Sequence, residues 1–140
     1  MSSWQAVSAS EVVPAVVLDS SAVIALLRSE PGAELVATHI AEAVISAVNL
    51  HEVTKKLFDG GFESAGVRDT LEALELDVRS HDTEDAYLAA SLAQATKRLG
   101  RGLGDRSCMA LAMRLGVPAL TTDREWEKVD VPGLTVQLIR

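Results

Sequence analysis

Apolar positions in this chain alternate between two kinds of block. Short runs at 15–19, 43–47 ("AVISA"), 75–80, 117–121 ("VPALT") and 134–139 ("LTVQLI") are too brief for helices and read as strands. Longer stretches with helical spacing lie between them, at 20–28, 31–40, 49–59, 63–74, 83–99 and 105–115, with a short one after 123. Strands separated by helices predict βαβ units and a parallel sheet covered on both faces. Gly60-Gly61, the glycines from Gly100 to Gly104, and Gly116 punctuate the helix ends. No linker divides the pattern, so the expectation is a single α/β domain over residues 14–140. The polar stretch 1–13 reads as a loose leader: a tag, an early start codon or a genuine extension.

Composition changes this picture in three ways. A chain of 140 residues with 48% apolar content can bury one core without staples, and its single cysteine, Cys108, excludes an internal disulfide and suits a reducing compartment. No Lys or Arg precedes Arg28, and Asp19 interrupts the only long apolar run, so an export signal or membrane span is not expected and a cytoplasmic protein is. The net charge of −7 argues against nonspecific binding to nucleic acid and leaves room for a carboxylate-rich, metal-neutralised site. Locally, 96–106 carries Lys97, Arg98, Arg101 and Arg106 against one acid; Lys97 and Arg98 suit a helix C-terminus or a substrate equally.

Ligands of open parallel sheets bind beyond the carboxyl ends of the strands. Asp19 ends the first predicted strand and Asp123 the fourth, in "PALTTDREW". Glu52, in "SAVNLHEVTKKLF", falls in a first helical turn near the end of the second strand. Asp105 opens "DRSCMALAMRLG" on the side continued by Cys108, Ala112 and Leu115, the buried stripe. Each acid alone has a structural explanation. Asp19 or Asp105 suits an N-cap, and Asn49 with Glu52, or Thr122 with Glu125, matches a capping box. Four such coincidences at one sheet end are harder to accept. Gathered carboxylates repel one another unless a cation joins them, and Mg²⁺ or Mn²⁺ prefers oxygen ligands and activates water against a phosphodiester.

The stretches "VVLDSSAVIALL", "ISAVNLHEV" and "GLGDRSCMALAMRLGVPALTTD", in this order and spacing, resemble the PIN (PilT N-terminus) domain, and within it the small VapC toxins of bacterial toxin–antitoxin pairs. The resemblance covers about 14–140. It implies a parallel sheet between helices and a Mg²⁺- or Mn²⁺-dependent endoribonuclease that hydrolyses RNA with metal-activated water. Matched residue by residue, the family's acids fall on Asp19, Glu52, Asp105 and Asp123. Asp19 and Asp105 would be the principal metal ligands, Glu52 would ligate or orient water, and Asp123 would support a second ion. Ser20, Ser21 and Thr122 adjoin these acids and suit a role in orienting them. Many relatives carry Ser or Thr three residues before the third acid, where this chain has Gly102, and the leader before Val16 is longer than usual. The family also implies a cognate VapB-type antitoxin that sends a basic side chain into the acidic groove. It implies a homodimer as well, extended with antitoxin to a heterotetramer or larger.

Other patterns carry less. "HEVTK" lacks the second histidine of a zincin helix, which leaves His51 on a helix surface or at a cap. His39 and His81 stand alone in the sequence, and "GLGDRS" is neither a dinucleotide fingerprint nor a P-loop. Cys108 lies mid-stripe and reads as core. Trp126 reads as packing against the sheet end in preference to stacking on a base. Arg106 and Arg124 each follow a site acid and suit either RNA phosphates or surface ion pairs. A phosphoryl-transfer receiver would want an acidic pair after the first strand and a late lysine, and a dehalogenase-type phosphatase would want Asp-x-Asp; neither pattern is present. The alternatives that remain are a housekeeping PIN nuclease and an idle PIN-like binding module.

Overall fold

Val16, Val17 and Leu18 are almost wholly inaccessible to solvent, and this short run is the centre of the sheet. The computed structural model describes residues 14–99 and 102–140. The expected leader, 1–13, lies outside the described residues, as does Arg101 of the basic segment. In chain order the elements are β1 (Val16–Leu18), α1 (Ser20–Leu27), α2 (Ala33–His39), β2 (Ala43–Ser46), α3 (Ala47–Asp59), α4 (Ser64–Ala73), β3 (Asp77–Arg79), α5 (Thr83–Ser91), α6 (Leu103–Leu115), β4 (Ala119–Thr121) and β5 (Val136–Leu138). Short 3₁₀ turns occupy Ile40–Glu42, Lys97–Leu99 and Arg124–Lys128. All strand pairings are parallel, in the order β3-β2-β1-β4-β5. The α/β expectation holds, with each strand inside its expected run.

Strand alternation divides the core. Val16 and Leu18 of β1, Ala43 and Ile45 of β2, and Leu120 of β4 face one layer with α1 to α4. Val17, Val44 and Ala119 face the other, with Cys108, Met109, Leu111 and Ala112 of α6 and the indole of Trp126. Residues that differ by two along a strand therefore share a face, and this parity carries past the strand ends into the site.

Several helix boundaries differ from the sequence reading, those of α5 and α6 among them. The helix expected over 83–99 stops at Ser91, where the Ser91 hydroxyl donates to the Leu88 carbonyl at 2.6 Å; further on, Thr96 donates to the Leu92 carbonyl at 2.7 Å. Such hydroxyls compete with backbone N–H groups for helix carbonyls, which favours turns here over a continuing helix. The helix expected at 105 begins at Leu103, so Asp105 sits inside the first turn and Gly102 takes the cap position with no side-chain bond. At its other end Gly116 adopts φ 69°, the left-handed stop that glycine accommodates.

The chain leaves β1 toward β2 and β3 on one side, then crosses back to place β4 and β5 on the other. This reversal makes the carboxyl ends of β1 and β4 a topological switch point, the place where such sheets open a crevice.

An ion pair between a buried carboxylate and a partly solvated guanidinium fastens α5 to α6. Asp85, 2% exposed, completes a capping box with Asp82 and accepts from Arg114. Burial pushes its carboxyl up, but the Arg114 bond, the Asp82 N–H and the guanidinium charge outweigh that and hold it below the usual range. Asp85→Ala is expected to cost about 2 kcal/mol, since Arg114 is partly solvated and recovers some hydration. A carboxyl depressed in the folded state contributes above its unfolded pKa, so the gap between wild type and variant should close as pH falls below about 4. Denaturant melts at pH 7 and pH 3 check both points; an equal gap at the two pH values would contradict them.

Candidate active site

Asp19 is the first residue past β1, extended at φ −71° and ψ 157°, and its side chain makes no capping bond to α1. Its carboxylate faces the crevice end instead. Only 5% exposed, it accepts from Ser21 Oγ at 2.8 Å and Thr121 Oγ1 at 2.9 Å, both on Oδ2. Burial raises its pKa and outweighs those two hydroxyls; the charge of Glu52 adds to the rise.

Register explains why Thr121 reaches Asp19 and Thr122 does not. Val17 pairs with Ala119 and Leu18 with Leu120, so one further step sets Asp19 beside Thr121 on the α6 side of the sheet. Thr122 contributes its backbone N–H, which donates to Ser21 Oγ at 3.0 Å. The expectation that the Thr122 hydroxyl orients an acid is thus corrected to Thr121, a residue that strand parity alone would have selected. Thr121 Oγ1 also accepts from the Asp123 N–H at 3.1 Å. Asp123, not Thr122 as the capping-box reading had it, caps the 3₁₀ turn through Oδ1 and Glu125 N, 2.9 Å apart, and its carboxylate still borders the cluster.

Glu52 lies in the second turn of α3. That helix is capped by Ser46, not by Asn49 as the capping-box reading had it; the Asn49 N–H donates to Ser46 Oγ at 3.1 Å. Asn49 is freed for another task. Fully buried, it sends Nδ2 to Glu52 Oε1 at 3.1 Å, Ser20 Oγ at 3.2 Å and the Gly104 carbonyl at 3.0 Å. Ser20 Oγ donates to Glu52 Oε1 as well. The Glu52 carboxylate lies against the first turn of α6, where a Cβ at Gly104 would overlap it. Unpaired N–H groups of a helix start favour a negative charge in that place.

Asp105 joins the set from α6. It is half-buried and its carboxyl is pushed up to about 7, by burial first and then by the charges of Asp19, Asp123 and Glu52, with Arg106 opposing. Asp19, Glu52 and Asp123 are therefore close enough to oppose the ionisation of Asp105. Ser20 bonds Glu52 and Ser21 bonds Asp19. Arg106 is half-buried beside Asp105, and Arg124 is exposed at the start of the 3₁₀ turn. Trp126 is completely buried and its indole N–H has no partner among the described side chains, so it packs and does not offer a face to a base.

Sequence reasoning missed Thr121, the amide of Asn49, and behind it the buried pair Ser46 and Ser107 with the half-buried His81. Ser107 donates to Ser46 Oγ at 2.9 Å and lies 2.8 Å from His81 Nδ1. His81 had no visible partner because Ser107 is remote in sequence and unremarkable in type.

Comparison with known proteins agrees with this architecture. A family model for the PIN domain matches residues 16–132. The fold is similar to a chain of the DNA-bound VapBC structure from Salmonella typhimurium (TM-score 0.68, 19% identity, covering 91% of this chain and 99% of that one). It is also similar to a chain of VapBC-1 from nontypeable Haemophilus influenzae (TM-score 0.66, 22% identity, 89% and 97% covered) and to one of a toxin–antitoxin complex from Klebsiella pneumoniae (TM-score 0.67, 18% identity, 86% and 96% covered). At these identities the likeness establishes the fold. No curated protein sequence matches the chain.

Proposed function

The chain belongs to the PIN domain family, and from that membership and its four gathered acids we propose that it is a Mg²⁺- or Mn²⁺-dependent endoribonuclease of the VapC toxin type, acting in the cytoplasm and restrained by a cognate VapB-type antitoxin. The observation that carries the reading is Asp105, driven to about 7 by burial and three neighbouring carboxylates at the switch point of a parallel sheet. A purely structural set of acids would be paired with bases; here the charge of Arg106 opposes the rise without reversing it.

The donor set fits a hard cation, being all oxygen with Cys108 sealed in the core. Among the described residues no three His, Cys, Asp or Glu side chains are arranged to hold an ion by themselves. Mg²⁺ does not require that, because it is commonly carried on one or two carboxylates with water and substrate phosphate completing its shell. Asp19 and Asp105 would hold it, with Glu52 and Asp123 flanking. When bound, such an ion supplies charge neutralisation at the phosphodiester and activation of water. The chain's own residues do the positioning. Ser21 and Thr121 fix Asp19 through Oδ2, leaving Oδ1 to bind, and Ser20 with Asn49 fixes Glu52. Arg106 and Arg124 flank the acids where RNA phosphates would pass.

A protein partner is supported by an open apolar groove of about 520 Å³ lined by Leu50, Phe58, Val67, Leu71 and Val78, with Phe58 and Val78 exposed. Of the structural neighbours named above, two are VapBC structures and one is a toxin–antitoxin complex by description, and a homodimer that builds larger assemblies with its antitoxin follows the same likeness. Among the described residues no helix is long and apolar enough to cross a membrane.

Purified, antitoxin-free protein incubated with structured RNA is expected to cleave internally in Mg²⁺ or Mn²⁺ and to stop in EDTA. Cleavage that persists in EDTA, or in an Asp19→Ala variant, would overturn the mechanism. Growth arrest on expression, relieved by a small co-encoded protein, would separate a toxin from a housekeeping nuclease.

A further inference from the structure

Ser46, Asn49 and Ser107 are each at most 2% exposed, and together with His81 they form an unbroken file of polar groups running from the β3–α5 loop to Glu52. Counting protons along it fixes every orientation. The Asn49 side-chain atom that faces the Gly104 carbonyl and the Glu52 carboxylate meets acceptors, so it is the NH₂, and Oδ1 points the other way. Oδ1 can only accept, and it takes the single proton of Ser46 Oγ at 3.0 Å. Ser46 has nothing left to donate, so its 2.9 Å contact with Ser107 is donated by Ser107. That spends the one proton of Ser107. The remaining 2.8 Å contact must then be donated by His81, from Nδ1. Reversing any link leaves a buried oxygen without a donor, at about 1–3 kcal/mol.

We propose that His81 is a positioning residue, protonated at Nδ1, that holds the Asn49 amide through Ser107 and Ser46 and thereby fixes Glu52 against the first turn of α6. The place of each member follows from the sheet. Ser46 pairs with Arg79, and His81 lies two residues further along on the same parity, which brings its ring to the end of β2 above α6. The relay runs in one direction, donor to acceptor, from His81 to the Asn49 carbonyl oxygen. From there the amide passes polarisation to the carboxylate it holds. The consequence for rate rests on the nuclease reading; the tautomer and the relay do not.

The test separates the two. At pH 8, where an ordinary histidine is neutral, long-range ¹H–¹⁵N spectra of the full chain should show His81 protonated at Nδ1 with Nε2 bare. Ser107→Ala should return the ring to the Nε2–H form. His81→Ala should speed exchange of the Asn49 side-chain NH₂ about tenfold, and His81→Asn, whose amide can donate from near the Nδ1 position, should restore it. In the cleavage assay His81→Ala should lower kcat about tenfold with KM within about twofold, with recovery in His81→Asn, in line with losses at groups that orient ligating carboxylates. An Nε2–H ring in the wild type, or Asn49 exchange indifferent to His81→Ala, would overturn the relay. Spectra as expected in a protein that cleaves no RNA would sink the nuclease reading and leave the relay standing. Cleavage by the wild type with an unaltered kcat in His81→Ala would overturn the positioning role.

Discussion

Asp105→Asn is expected to lower RNA cleavage on the order of 10³-fold while making the metal-free protein more stable at pH 8. The two effects share one cause. In the folded chain the Asp105 carboxyl is held at about 7, by burial first and by Asp19, Asp123 and Glu52 after it, whereas in the unfolded chain it titrates near 3.9. The folded state thus binds the proton more tightly. Its contribution to stability is fully present below pH 4 and is lost as pH rises through about 7. Above that, the ionised carboxylate is a strain on the fold. With partial solvent screening the strain amounts to about 1–2 kcal/mol, so the amide should raise the metal-free Tm at pH 8 by about 3–6 °C. Asp19, also raised by burial, adds the same sign of pH dependence and keeps part of the slope in the variant. Added Mg²⁺ should stabilise the wild type by mass action and do less for the variant. Thermal melts at pH 5 and pH 8, with and without Mg²⁺, beside a cleavage assay, check each part. A variant that cleaves within tenfold of wild type, or melts lower at pH 8 without metal, would contradict it.

That strain was legible in the sequence because acids at strand ends break a pattern. A charge directly after Val16-Val17-Leu18 stands out against buried neighbours, and Asp105, the one acid of its helix, stands out on the Cys108–Ala112 stripe. The periods of two and near four that define strands and helices also say which side chains share a face, so the α/β layers and the four acids followed from local rules. What supports the acids did not. Asn49 belonged to a capping pattern one turn out of register, and the cap came from Ser46, whose own hydroxyl is shared with Ser107, 61 residues away. Thr121 and Thr122 are identical residues, and only the pairing of β1 with β4 decides between them. Hydroxyls and amides take their roles from long-range register, and register between strands separated by several helices is not written in any one segment. Glycine is harder still, since its contribution at 104 is the absence of an atom.

Gly104→Ala is expected to cost about 10²-fold in kcat while lowering the melting temperature by only about 3 °C. A methyl group there would occupy the space of the Glu52 carboxylate. The obstacle is the far end of a flexible side chain, so Glu52 swings aside with little resistance from the fold. It would forfeit its bonds from Ser20 and Asn49, each worth about 0.5–1.5 kcal/mol. Alanine in place of glycine in a helix returns about 0.5–1 kcal/mol, which offsets part of that loss and leaves a net cost of about 1 kcal/mol. Rate has no such offset, because a displacement of about 1 Å at a group that positions reactants can cost 10²-fold. The decisive measurement is a double-mutant cycle with Glu52→Ala. If glycine serves only to admit the carboxylate, removing the carboxylate makes the methyl harmless, and the double variant should be no slower than Glu52→Ala alone. Losses that multiply would show that Gly104 acts elsewhere, through the backbone of α6 or the placement of Asp105. A Gly104→Ala enzyme with wild-type kcat would mean that the carboxylate contact with α6 has no part in the reaction.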